Sequence, residues 1–247
     1  MVISEVERVG KGQAMRVAII ENTRYSDPGQ VGVALAEAGA KVQVIRAYAG
    51  DPLPGSIDDH DALVVFGGEQ NARDDAKHPY LPALAEVMRG YGEAGRAVLG
   101  ICLGSQLLAR AFGAENLIGA APEFGWQAIE PTEAGLADPV LSAVNDSRFL
   151  SFQWHDDTFT LPPDAIHLAR NDAVHHQAFR VGRAAYGMQF HFEANRGVVE
   201  QWNRMFPELV EKKHPGWLER HPDYAATKGV EAEAAGLAIA RAWVALI

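Results

Sequence analysis

In its first half the chain alternates short, largely apolar runs with segments whose apolar residues recur at helical spacing, and this alternation restricts the fold strongly. A run that is apolar at successive positions has no polar face for solvent, so it fits a parallel sheet covered by helices on both sides. We therefore predict an α/β fold. The strand candidates are 16–20, 42–45, 62–66 and 97–101, and the helical stretches are 31–38, 81–91 and 107–112.

The second half of the chain changes in character. From about residue 122 to residue 187 the apolar segments are shorter and strand-like, and from about residue 195 the pattern is helical again. Residues 1–14 are polar and aperiodic, so we expect a tail followed by a single domain over 15–247, ending in a helical extension. The strand-like pieces are 149–154, 166–169, 177–180 and 184–192. The last helix is predicted to carry an apolar face lined by Val230, Ala234, Leu237, Arg241 and Val244.

Composition argues against several classes of function. The chain has 247 residues and a net charge of −10, from 22 basic and 32 acidic residues, which disfavours electrostatic binding to nucleic acid or to an anionic membrane. No apolar run reaches the roughly 18 residues of a membrane span. Acids also occupy the N-terminal positions where a signal peptide needs positive charge. We therefore expect a cytoplasmic protein with no nucleic-acid or membrane partner.

The single cysteine lies where a predicted buried strand ends and a predicted helix begins. Cys102 is flanked by Gly100 and Gly104, and a sharp strand-to-helix turn needs glycine on both sides of its apex. The positive end of the helix dipole favours a thiolate, and the N–H of Leu103 would point to where an oxyanion forms. A lone cysteine is more often buried filler, but this setting favours a nucleophile. One cysteine also excludes internal disulfides and cysteine-rich metal centres.

A thiolate nucleophile needs a histidine base, and that base needs an acceptor that orients it. His191 and Glu193 are two residues apart in a predicted strand, so they share one face. A histidine and a glutamate at this spacing are by themselves more often a structural pair. Together with the cysteine turn they form a candidate triad.

Three separated motifs, 100–109, 123–125 and 187–193, resemble those of the class I (triad-type) glutamine amidotransferases, including the glutaminase domain of GMP synthases. The order of Cys102, His191 and Glu193 is that family's order, and the resemblance extends from about residue 17 to residue 204. It implies a flavodoxin-like three-layer sandwich with a mostly parallel central sheet and the site at the carboxyl edge. It also implies hydrolysis of the γ-amide of glutamine, or of a related γ-glutamyl compound, through a thioester on Cys102.

The resemblance implies roles for further residues. Gly68 would pair with Leu103 in the oxyanion hole, and a second set would form the substrate pocket. Three positions depart from the family pattern: Glu69 and Phe192 replace its usual prolines, and Asp156 replaces a common glycine. The predicted pocket residues are Gly67, Gln106, Trp154, His155 and Asp156.

The sequence indicates neither a cofactor nor a metal site. Gly67-Gly68 lacks the pattern of a phosphate-binding loop, and the adjacent His175 and His176 would face opposite ways on a strand. Four tryptophans are predicted to be packing or interface residues: Trp126, Trp202, Trp217 and Trp243.

Several functions stay open at this point. The stretch after Glu193 has only helical patterning, so we expect either a separate ammonia-accepting synthetase subunit or hydrolysis by this chain alone. The same triad would serve a γ-glutamyl peptidase acting on glutathione-like conjugates. The remaining alternative is a non-catalytic or redox-sensing relative.

Overall fold

A computed structural model describes residues 14–247, so all but the last residue of the expected tail lies outside the described residues. Within this range a nine-stranded sheet has the order β2-β1-β3-β4-β11-β10-β9-β6-β7. A two-stranded ladder joins β5 and β8 beside it. The strands are β1 (Arg16–Glu21), β2 (Lys41–Arg46), β3 (Ala62–Val65), β4 (Ala97–Ile101), β5 (Asn116–Leu117), β6 (Glu123–Pro131), β7 (Phe149–His155), β8 (Thr158–Phe159), β9 (Ile166–Arg170), β10 (Ala178–Val181) and β11 (Ala185–Met188).

The sheet has a parallel half and an antiparallel half. Strands β2, β1, β3, β4 and β11 pair in parallel, whereas β10, β9, β6 and β7 continue the sheet with antiparallel pairing. Most strands still run in one direction. The predicted α/β fold with a mostly parallel central sheet is therefore confirmed.

Helices cover both faces of the parallel half. Along β1, Val17 and Ile19 pack into one apolar cluster and Ala18 and Ile20 into the other, which is the two-sided burial expected of a central parallel strand. The first cluster lies under α1 and α8, and the second lies under α2 and α3. The α-helices of the described region are α1 (Gly29–Glu37), α2 (Leu81–Glu93), α3 (Leu103–Ala111), α4 (Glu133–Leu136), α5 (Arg196–Met205), α6 (Pro207–Lys213), α7 (Trp217–Ala226) and α8 (Lys228–Val244).

Two expectations about buried faces are wrong. Val42 and Val44 are 43% and 42% exposed, because β2 is an edge strand rather than a covered one. On α8, Val230 is 47% exposed, and the buried face consists mainly of small residues that let the helix approach the sheet closely. Of the predicted residues, only Val244 belongs to this face, which comprises Gly229, Ala232, Ala235, Gly236, Ile239, Ala240, Trp243 and Val244.

The C-terminal helices enclose a third cluster, which is rich in aromatic side chains. Trp126 of β6 and Phe152 of β7 pack there against Trp217 of α7. In the described part of the chain, no helix combines the length and apolar character needed to cross a bilayer. The cytoplasmic location and the division into tail, domain and extension stay predictions.

The turn between β4 and α3 is fixed by close backbone contact. A Cβ at Gly100 would overlap the carbonyl group of Gly104, and one at Gly104 would overlap the carbonyl oxygen of Val65. Helix α3 therefore approaches β3 and β4 more closely than any side chain allows. Cys102, at the apex, has a φ of 53° and a ψ of −112°, a backbone conformation that costs free energy in any residue but glycine.

We predict that Gly104→Ala lowers the free energy of unfolding by about 3 kcal/mol or more, because the new Cβ meets backbone atoms that cannot yield. Helix propensity alone would instead raise the free energy of unfolding by up to about 1 kcal/mol, because alanine favours a helix more than glycine does. Urea unfolding followed by circular dichroism measures the difference. The matched control is Gly55→Ala, whose Cβ meets nothing within 4 Å and which should change stability by less than about 0.5 kcal/mol. Equal stabilities for the two variants would contradict the proposed close contact.

Candidate active site

Cys102 lies at the carboxyl edge of the sheet, directly after β4, and caps the N-terminus of α3. Its N–H donates to the carbonyl of Met188 at 2.9 Å, and its carbonyl accepts from the Ser105 hydroxyl at 2.7 Å. Its Sγ lies 3.8 Å from the carbonyl oxygen of Trp154. The cysteine is 7% exposed, so its thiol is largely shielded from bulk water.

His191 and Glu193 meet, although not on a strand as predicted. Strand β11 ends at Met188, so the predicted extension to residue 192 is wrong. His191 is held instead by its N–H, which donates to the Phe152 carbonyl of β7 at 2.8 Å. Its Nδ1 lies 2.7 Å from Oε1 of Glu193, and both side chains are buried. The carboxylate therefore accepts from Nδ1 and leaves Nε2 for other partners.

Gly67 lies in contact with both Cys102 and His191. A Cβ on this glycine would lie 3.3 Å from Cys102 Cβ and 3.4 Å from His191 Cε1. The backbone of Gly67 therefore packs against both groups, and their proximity depends on its lack of a side chain.

The environment of His191 favours a charged imidazole ring. Burial by itself lowers the pKa of His191, but the negative charges of Glu193 and Cys102 outweigh it and raise that pKa to about 10. At neutral pH this raised pKa favours a charged His191 ring beside Glu193 and the Cys102 sulfur, an arrangement that suits a cysteine nucleophile and its acid-base partner.

Gly68 and Leu103, the two residues predicted for the oxyanion hole, line the same cavity as Cys102. Leu103 is the first residue of α3, so its N–H has no acceptor within the helix. Within residues 14–247, neither N–H donates to a protein acceptor. A Cβ at Gly68 would lie 3.3 Å from Leu103 Cδ2, which places the two residues side by side. The N–H of Leu103, at the N-terminus of α3, and that of Gly68, in the loop after β3, are donors of the kind that stabilises a developing oxyanion.

A cavity of about 620 Å³ opens above these groups. Its lining comes from the loops after β1, β3 and β7, from the start of α3 and from α5 and α6. All ten residues predicted for the site line it: Gly67, Gly68, Cys102, Leu103, Gln106, Trp154, His155, Asp156, His191 and Glu193.

Two of the predicted pocket residues direct their side chains into the protein. Gln106 Nε2 contacts the carbonyl of Asp157 and Oε1 of Gln189, each at 3.3 Å. His155 Nδ1 donates to the same Asp157 carbonyl at 3.1 Å. Both side chains therefore hold the backbone after β7, which shapes the cavity.

Beneath this backbone lies a buried polar network that was not predicted from the sequence. His155 Nε2 faces Oε1 of Gln153 at 3.1 Å and Oε2 of Glu123 at 3.2 Å. Both ring nitrogens of His155 therefore have polar partners within hydrogen-bond distance. Glu123 also accepts from Asn171 and Gln177, each at 2.6 Å. The 123–125 motif was a signal for it, but sequence patterns do not reveal such cross-strand partners.

An ion pair ties α6 to the end of β7. Lys213 Nζ lies 2.6 Å from Oδ1 of Asp156, and the lysine side chain is only 16% exposed. Asp156 stands out in the sequence as a departure from the family pattern, but its partner, which comes 57 residues later, was not predicted.

Four aromatic side chains from three parts of the chain meet along one side of the cavity, and we call them the aromatic wall: Tyr25, Trp154, Trp202 and Phe206. Trp202 was predicted to be a packing or interface residue. Its ring lies edge to face with that of His191, with centroids 5.3 Å apart. Trp126, Trp217 and Trp243 are core residues, as expected.

The remaining histidines do not form a metal site. His175 and His176 lie in the loop between β9 and β10 with ring centroids 5.0 Å apart, and His167 is close to both. His167 and His176 each use one ring nitrogen to contact a backbone carbonyl at 2.9 Å. Nowhere in residues 14–247 are three or more histidine, cysteine or acidic side chains arranged to hold a metal ion.

Comparison with known proteins shows which family this chain resembles. The glutamine amidotransferase-like protein YfeJ of Salmonella typhimurium is 34% identical over 75% of this chain and 79% of its own. A subunit of the glutamine-hydrolysing GMP synthase of Methanococcoides burtonii is 31% identical over 54% of this chain and 64% of its own. The crystal structure of a glutamine amidotransferase from Thermotoga maritima superimposes with a TM-score of 0.84 at 25% identity, covering 95% of this chain and 98% of that one.

The sequence profile of the family described as glutamine amidotransferase class-I matches residues 31–202, which is more than half of the chain. This match includes the turn at Cys102 and the segment with His191 and Glu193. The chain belongs to the class I glutamine amidotransferase family.

Proposed function

We propose that this protein is an amidohydrolase that splits the γ-amide of glutamine, or of a related γ-glutamyl compound, through a thioester on Cys102. The observation that carries the proposal is the position of Cys102 at a strained strand-to-helix turn, against Gly67 and the His191–Glu193 pair, in the lining of a cavity. A cysteine used only for packing has no need for this surrounding.

Two half-reactions follow from the arrangement. The Cys102 thiolate attacks the γ-carbonyl carbon, and the C–N bond breaks as the His191 imidazolium donates its proton to the departing nitrogen. Neutral His191 then takes a proton from water, which attacks the thioester and releases glutamate. Cys102 leaves as thiolate beside the restored imidazolium, so one water is consumed and one ammonia or amine is released.

The surrounding groups have distinct roles in this proposal. The N–H groups of Gly68 and Leu103 donate to the oxyanion that forms in each half-reaction. Glu193 keeps Nδ1 of His191 protonated and stabilises the imidazolium. Gln106 and His155 act indirectly, because they fix the backbone of Asp157.

The fate of the released ammonia is part of the proposal. One relative is named as a subunit of GMP synthase, which favours a separate synthetase subunit as the ammonia acceptor here. Hydrolysis by the isolated chain is the alternative. Ammonia release from glutamine with and without candidate synthetase subunits distinguishes the two.

A γ-glutamyl peptidase is the second candidate, and the size of the cavity favours it. A volume of about 620 Å³ lies within the range of pockets for drug-sized ligands, about 300–1,000 Å³, whereas glutamine has only about ten non-hydrogen atoms. Comparing the turnover of γ-glutamyl peptides with that of glutamine discriminates between these functions.

We predict that Cys102→Ala lowers turnover by at least about 10⁴-fold, because no other group in the site can replace the nucleophile. The assay is release of glutamate from glutamine and from γ-glutamyl amides. The variant should unfold at a urea concentration no lower than the native protein, since the smaller alanine still fits the turn. Undiminished turnover in a folded Cys102→Ala protein would contradict the assignment.

We predict that the alkaline limb of the kcat/KM profile lies above about pH 9, because the raised pKa of His191 keeps its ring charged until then. Glu193→Gln removes a negative charge that raises this pKa, so the limb should move to lower pH by about one to two units. Rates measured between pH 5 and pH 11 with both proteins test this. A limb that stays in place in Glu193→Gln would contradict the role of the carboxylate.

A further inference from the structure

The aromatic wall gives the cavity an apolar surface beside the catalytic groups. Tyr25 comes from the loop after β1, Trp154 from β7, and Trp202 and Phe206 from α5 and its end. All four side chains are only half-buried and line the cavity. Glutamine has no ring or branched apolar group that could use such a surface, so the wall calls for a further part of the substrate.

The four rings form a continuous chain of edge-to-face contacts. Tyr25 and Phe206 have centroids 4.7 Å apart, Phe206 and Trp154 5.9 Å, and Trp154 and Trp202 5.6 Å. The spacing is that of favourable aromatic pairs. This series of ring contacts continues from Trp202 to His191, whose ring lies edge to face with that of Trp202.

The position of His191 indicates which part of a substrate the wall would meet. In the proposed reaction, His191 donates its proton to the departing nitrogen, so that nitrogen must lie within hydrogen-bond reach of the imidazole ring. Trp202 is in contact with the same ring. The group attached to the departing nitrogen therefore lies beside Trp202 and extends along the wall.

The wall is also held in place. Lys213 at the end of α6 pairs with Asp156 at 2.6 Å, and the lysine side chain is largely buried. This ion pair links α6 to the strand end that carries Trp154, and the edge-to-face contacts of Trp154 with Trp202 and Phe206 join the same two parts of the chain. A preorganised apolar surface binds a flat group without the entropic cost of ordering it.

We propose that the substrates are γ-glutamyl amides of an aromatic or similarly flat apolar amine, with the aromatic wall binding the amine part. This inference rests on the proposed function. The thioester forms on Cys102 as the C–N bond breaks, the free amine leaves with the proton from His191, and water then releases glutamate.

The test uses the full chain and three substrates: glutamine, γ-glutamyl ethylamide and γ-glutamyl benzylamide. A fourth substrate, γ-glutamyl allylamide, is the matched control, because allylamine and benzylamine have closely similar basicity and a difference between them reports binding rather than leaving-group chemistry. We expect kcat/KM for the benzylamide to exceed that for the allylamide by about tenfold or more. An equal or lower value for the benzylamide would overturn this inference and leave the proposed amidase function intact.

A variant connects the preference to the wall. Phe206→Ala should bring the benzylamide-to-allylamide ratio close to one, whereas Tyr48→Ala, an exposed aromatic outside the cavity, should leave it unchanged. If Phe206→Ala fails to fold, Tyr25→Ala in the loop after β1 replaces it. A ratio that survives loss of the wall side chain would overturn the inference.

Binding separates the two proposals from each other. Calorimetry with the Cys102→Ala protein measures affinity for the benzylamide and the allylamide without turnover. Tighter binding of the benzylamide with no hydrolysis by the native chain would support binding of the amine part by the aromatic wall and reject the proposed reaction. Equal affinities would reject that role of the aromatic wall, whatever the native chain hydrolyses.

Discussion

The close contact between α3 and the sheet is the constraint on which the site depends. The helix begins so near β3 and β4 that only glycine fits at residues 100 and 104. The chain can enter the helix only through a sharp turn, and Cys102 takes the strained φ of 53° at its apex. The same turn places the thiol at the sheet edge and leaves the Leu103 N–H without an acceptor within α3. Packing energy elsewhere in the fold thus maintains a conformation that suits nucleophilic chemistry.

Two buried histidine–glutamate pairs lie at this edge, and β7 connects them. The carbonyl of Phe152 fixes His191 of the first pair, and His155 belongs to the second pair, with Glu123. Between them, the carbonyl of Trp154 faces the Cys102 thiol. Buried charges are costly unless paired and hydrogen-bonded. Their pairing therefore fixes the strand end, the imidazole ring and the thiol relative to one another.

The local features of this protein could be predicted from its sequence. The turn at Cys102 has a steric cause within five residues, and the alternation of apolar runs gives the parallel half of the sheet. The hydrogen bond between His191 and Glu193 depends on a short separation in the chain, and it survives although the strand ends earlier than expected. Short-range geometry explains why these predictions succeeded.

Long-range features could not be predicted in the same way. The contacts of Lys213 with Asp156 and of Trp202 with His191 join segments whose packing no local pattern specifies. Of the residues assigned to the apolar face of α8, only Val244 belongs to the buried face, because the assignment from hydropathy gave weight to Val230 and Leu237. The real interface uses glycine and alanine, and a Cβ at Gly236 would overlap the Phe192 carbonyl. Close approach, rather than apolar surface alone, decides which face of that helix is buried.

A covalent γ-glutamyl intermediate on Cys102 is central to the proposed function, and mass spectrometry tests it most directly. The native protein is mixed with a γ-glutamyl amide, quenched with acid during turnover and digested. We predict that the peptide containing Cys102 gains the mass of one γ-glutamyl group, that hydroxylamine removes it, and that Cys102→Ala shows none. Turnover without any adduct on Cys102, or with an adduct on another residue, would contradict the proposed mechanism.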